Sequence, residues 1–171
     1  MNLKVNKVNV DKAFLVNKYL PANYADAFEC VAPISNQITP DHLQIAFWGS
    51  EKSWIKTLFK LRDLLVKPFG LKTSRNKGTG SIAACIENGN SHHIASVSDR
   101  FPKETILLLD DRHLKAYISI SIAEVETEAD LKRVTVCTIV HFNNWFGYLY
   151  FHAKYPLHSI PLFDKMLQSS Y

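Results

Sequence analysis

The chain has 171 residues, 47% of them hydrophobic and 21% charged, which suits one globular domain with a sizeable core or an enclosed pocket. Twenty lysines and arginines against sixteen aspartates and glutamates leave a net charge of +4, too slight an excess to point to nucleic acid. Cys30, Cys85 and Cys137 stand far apart among apolar neighbours, an odd and motif-free set that reads as reduced, buried thiols and not as a disulfide framework.

Met1–Lys18, MNLKVNKVNVDKAFLVNK, breaks every apolar run with lysine or asparagine. It resembles neither a secretory signal nor a membrane span, so the expectation is a cytoplasmic single domain over 1–171 with 1–22 as an N-terminal extension. Tyr24–Val31, YADAFECV, predicts a short strand. Thr39-Pro40-Asp41 predicts a helix start: threonine caps a free N–H, proline loses nothing in the first turn, and aspartate suits the positive end of the helix dipole. The strongest helical signal runs from Ser50 to Lys67, where Trp54, Leu58, Leu61 and Leu65 form one apolar stripe and Lys52, Lys56 and Lys60 fall elsewhere. Pro68 and Gly70 end it, and Lys72–Gly80, KTSRNKGTG, reads as a basic loop. Gly78, Gly80 and Ala83 have the spacing of a dinucleotide fingerprint, but a polar loop stands where that fingerprint needs a strand. No cofactor is expected.

The second half is rich in strands. Thr105–Leu109 is apolar; in Leu114–Ile122 the even positions are apolar and the odd ones are Lys115, Tyr117, Ser119 and Ser121. Val134–Phe142 alternates likewise, with Thr138 as the polar exception on its apolar face. Two such runs joined by a charged link predict an antiparallel meander with one face buried. From Asn143 to Leu167 the period becomes helical, interrupted by Pro156 and Pro161, which predicts a bent closing helix. The order gives an α+β fold.

DDRHL, Asp110–Leu114, concentrates two carboxylates, a guanidinium and an imidazole between two apolar runs. The turn reading is favoured, because aspartate bonds its own downstream backbone; a ligand contact at a cavity rim is the alternative. His92-His93 and the trio His141, His152, His158 lack metal-ligand spacing, and no metal is expected. Cys137 and His141 lie four apart on one strand, on the order of 13 Å, too far for a thiolate–imidazole pair.

Three stretches in order resemble a known family, the bacterial domain of unknown function 2867: WIKTLFKLRDLLVKPFGLKT from Trp54, DDRHL from Asp110, and NNWFGYLYFHAKYPLHSI with Asn144-x-x-Gly147-x-x-Tyr150 and Pro156-x-His158. The resemblance implies a helix-grip fold of the START-like, lipid-transfer and pollen-allergen-like kind. In that fold a curved antiparallel sheet closes round a C-terminal helix, often about an apolar cavity. The family usually carries basic residues where this chain has Ser159 and Tyr148. The resemblance supplies no catalytic residues.

The preferred expectation is a small-molecule binding module that takes an apolar or amphipathic ligand between sheet and closing helix. Candidate ligand contacts are Asp111, Arg112, His113, Thr138, Tyr150 and His158. A small enzyme using polar groups at the cavity rim is one alternative. A protein-interaction module working through the basic helix 50–67 and loop 72–80 is the other. A hydrophobic small molecule is the expected partner; nucleic acid and a membrane span are not expected.

Overall fold

The computed structural model describes residues 4–49, 82–89, 91, 94–125 and 130–145. Among them lie β1 (Asn6–Val8), a 3-10 turn (Leu15–Tyr19), β2 (Tyr24–Pro33), α1 (Pro40–Gly49), α2 (Ile82–Asn88), β3 (Ala95–Phe101), β4 (Glu104–Asp110), β5 (Leu114–Glu124) and β6 (Leu131–Phe142). The strands form one antiparallel six-stranded sheet in the order β1-β2-β6-β5-β4-β3. The fold is α+β. The amphipathic helix expected over 50–67, the basic loop 72–80, Tyr150, His158 and all of the closing segment after Trp145 lie outside the described residues.

The alternation read from the sequence sets the centre of this sheet. Ala116 pairs with Val140, Ile118 with Thr138, Ile120 with Val136 and Ile122 with Val134, so the apolar positions of β5 and β6 share one face. Phe28 and Cys30 of β2 extend those rows beyond β6, and Thr105, Leu107 and Leu109 of β4 extend them on the far side of β5. Leu43 and Phe47 of α1 pack on the Cys30–Val134–Ile122 end of this helix face, while Ile86 of α2 packs on Ala95 and Leu107.

Helix α1 begins where the sequence predicts. The Thr39 hydroxyl accepts the His42 N–H at 3.4 Å, and His42 Nδ1 accepts the Thr39 N–H at 3.1 Å, a reciprocal cap with imidazole in the usual glutamate position. Gln44, fully buried, donates through Nε2 to the carbonyls of Thr105 (3.1 Å) and Ile118 (2.9 Å) and accepts from Trp48. Asp41 accepts from the Thr105 hydroxyl at 2.5 Å and pairs with Arg100. These bonds fix α1 to β4 and β5 along a line where apolar packing alone would leave rotation open. Helix α2 ends at Gly89, whose φ of 68° lies in the left-handed region that favours glycine.

The opposite face carries a strap formed by the chain ahead of β2. Val16 is fully buried against Ala27, Ile106, Cys137 and Ile139. Its anchor is Glu104, a buried carboxylate that accepts the N–H groups of Leu15 (2.7 Å) and Val16 (3.1 Å) and the Ser119 hydroxyl (2.6 Å). The carboxylate thereby satisfies the free donors at the start of the 3-10 turn, as a capping side chain would. At the other end of the turn, Tyr19 stacks on Tyr117 with ring centroids 3.7 Å apart, and its hydroxyl reaches Asp99 at 2.5 Å.

Candidate functional site

Strand β2 has a period of two, so Tyr24, Asp26, Phe28 and Cys30 all point to the helix face. Asp26 lies directly opposite Thr138 of β6, which in turn lies opposite Ile118 of β5. The row before it is Tyr24, Val140 and Ala116; the row after it is Phe28, Val136 and Ile120. A carboxylate, a phenol and a hydroxyl thus meet in a sheet face whose adjoining members, Ala116, Ile118, Ile120, Phe28, Val136 and Val140, are apolar.

The Asp26 side chain accepts the Tyr24 hydroxyl at 2.7 Å, and Thr138 stands directly across from it on β6. Burial pushes the Asp26 carboxyl above its ordinary range, while the Tyr24 hydrogen bond, the Lys7 charge on β1 and the Thr138 hydroxyl pull the other way. Burial and the adjacent carboxylate push the Tyr24 phenol up as well. Such a perturbed, specifically partnered group facing an apolar surface is a functional-site candidate on physical grounds.

The DDRHL stretch forms the β4–β5 turn, the favoured reading from sequence. The Asp111 N–H donates to the Leu114 carbonyl at 2.9 Å, and Asp111 Oδ1 accepts the Arg112 N–H at 2.7 Å. Asp110 pairs with Lys115 at 3.1 Å. The end of β6 clasps this turn: the Asn143 N–H donates to the His113 carbonyl at 2.9 Å, Asn143 Nδ2 donates to the Asp111 carbonyl at 3.1 Å, and Asn144 Nδ2 lies 3.1 Å from His113 Nδ1. Two of the three stretches that carry the family resemblance, DDRHL and the NN that opens NNWFG, therefore touch in space.

Asp111, Arg112 and His113 are thus brought together at one end of β5. Thr138 is not with them, because Leu114 pairs with Phe142 and Ile118 with Thr138. Four residues of strand separate the two groups, about 13 Å. Sequence reasoning singled out Thr138 but missed its partners Asp26 and Tyr24. The signal was present: once YADAFECV is a strand with Phe28 and Cys30 inward, its period places Asp26 inward too. Cys30, Cys85 and Cys137 are buried, and burial, with the charges of Glu104 and Asp26, pushes the Cys137 thiol up to about 12. Among the described residues no group of His, Cys, Asp and Glu side chains could hold a metal ion, and no helix is long and apolar enough to cross a membrane.

The sequence matches the family described as "Protein of unknown function (DUF2867)" over residues 19–165. The chain belongs to this family. The family match contains β2 through β6, and with them Asp26, Thr138 and the clasped turn, whereas Val16 lies ahead of the matched residues. No curated protein and no solved structure matches the chain.

Proposed function

We propose that the chain is a non-enzymatic helix-grip module that holds a small apolar or amphipathic molecule against the helix face of the sheet. The polar end of that molecule lies at Asp26, Tyr24 and Thr138. The observation that carries this reading is a buried carboxylate, Asp26, bonded to the half-buried Tyr24 phenol and set opposite the half-buried Thr138 in a largely apolar face. An apolar residue in place of Asp26 would serve stability better, because burying a carboxylate costs several kcal/mol on the order of magnitude. Apolar walls bearing a few convergent polar groups are how small-molecule sites orient what they bind.

In this reading the segment 143–167 supplies the grip. Its apolar residues Phe146, Leu149, Tyr150, Ala153, Leu157 and Ile160 recur at helical steps. Tyr150 and His158 are further ligand contacts, and Asp111, Arg112 and His113 form the rim at the strand end. The rim and Thr138 are about 13 Å apart along the strands, which does not favour a single reacting centre built from both.

The experiment is a thermal-shift and native-mass screen against lipids and hydrophobic metabolites. A ligand present at a hundred times its Kd stabilises the fold by about 2.7 kcal/mol, several degrees for a domain of this size. At least one class should raise the Tm and appear as a mass adduct. A flat response across the panel, with no adducts, removes the proposal.

A further inference from the structure

We propose that Asn88, at the exposed end of α2, is a site of spontaneous deamidation whose product loosens that end of the helix. The sequence holds one asparagine–glycine pair, Asn88-Gly89. Glycine is the neighbour that hinders ring closure least, because no Cβ stands beside the attacking nitrogen. The pair terminates α2: Asn88 is the last helical residue, both residues are exposed, and Gly89 has left the helix with a φ of 68°. A Cβ built on Gly89 would meet nothing within 4 Å, so the space on that side of the backbone is open. The Asn88 carboxamide is tethered through Nδ2, which donates to the Ala84 carbonyl at 3.0 Å; that bond is exposed, so water can replace it.

In the reaction the Gly89 backbone nitrogen gives up its proton to solvent and attacks Cγ of Asn88. A new C–N bond closes a succinimide ring, the C–N bond of the carboxamide breaks, and its nitrogen leaves as ammonia after taking a proton from water. Water then opens the ring at either carbonyl and leaves aspartate or isoaspartate. The net change is ammonia out and water in, with nothing oxidised or reduced. The product reverses the local hydrogen bonding. An ionised carboxylate only accepts, so it faces the Ala84 carbonyl acceptor to acceptor. It also adds negative charge where the helix dipole is already negative. That end of α2 is tied to the sheet, because the Ile86 carbonyl accepts from Arg100 of β3 and the Ile86 side chain packs on Ala95 and Leu107.

The test is incubation of the folded full chain in heavy-oxygen water at mildly alkaline pH, followed by peptide mapping. Asn88 should take up the label, as aspartate and isoaspartate, at least about tenfold faster than the other asparagines of the chain. Asn88→Gln, which keeps an amide but closes a ring far less readily, should retain its nitrogen over the same period. Asn88→Asp carries the aspartate product from the start. It should lower the Tm by about 1–3 °C and speed amide exchange at Cys85 and Ile86, with Val16 on the far face still protected. Asn88 keeping its amide while other asparagines convert would overturn the site. An Asn88→Asp variant equal to wild type in both Tm and exchange would overturn its effect on α2.

Discussion

Asp26 is nearly closed off from solvent, and burial raises its carboxyl even though Tyr24, Lys7 and Thr138 all favour the charged form. That direction fixes a sign. A carboxyl raised above its ordinary value of 3.8 binds its proton more tightly in the folded chain than in the unfolded one. Its contribution to stability is fully present below 3.8 and is lost as pH rises through the folded value. Asparagine does not titrate. Urea unfolding of wild type and Asp26→Asn across this window should therefore show the variant gaining on the wild type as pH rises from the unfolded value towards neutrality. A difference independent of pH would mean that the carboxyl is not protonated more readily in the fold.

At the scale of elements, β4 holds both layers onto the sheet through adjacent residues. Glu104 faces the strap and caps its 3-10 turn; Thr105 faces the helices and binds Asp41 and Gln44. Glu104→Ala leaves the buried N–H of Val16 without its acceptor and removes the partner of Ser119. Bonds to a charged acceptor are worth about 1.5–3 kcal/mol each, so the loss should reach at least about 2 kcal/mol. Hydrogen exchange should localise it, with Leu15 and Val16 exchanging faster while Gln44 and the α1 amides stay protected. Equal loss of protection on both faces would show that the strap is not a separate unit.

These elements were unequally legible in the sequence. Strands β5 and β6 could be read because each has one face buried and the other polar, so composition carries the period. Thr39-Pro40-Asp41 could be read because a helix start is a local event. Strand β3 could not: ASVSDRF is mostly polar, and its register shifts between Val97 and Asp99, which breaks the alternation. The strap was missed for another reason. Its 3-10 turn is held by one buried valine and by a carboxylate 88 residues away from Val16, and no local pattern encodes a cap supplied from so far. Asp26 lay between these cases, visible to strand periodicity yet easily passed over as surface charge.

For the whole molecule, the sheet is the shared wall of two unlike layers. One face is sealed by a strap that plugs it with Val16 and Tyr19. The other carries α1 and α2 towards the Cys30 and Ala95 ends and sets the polar row of Asp26 and Thr138 among apolar neighbours. Function is assigned to the second face because its buried carboxylate is the group that stability alone does not call for. Titrating decylamine into isotope-labelled protein and following amide and methyl resonances tests this most directly. The account predicts saturable shifts centred on Asp26, Thr138, Ile118 and Val140, with Val16 and Ile139 on the strap face unmoved. Saturable shifts confined to the strap face, or to the Asp111–His113 turn, would contradict it.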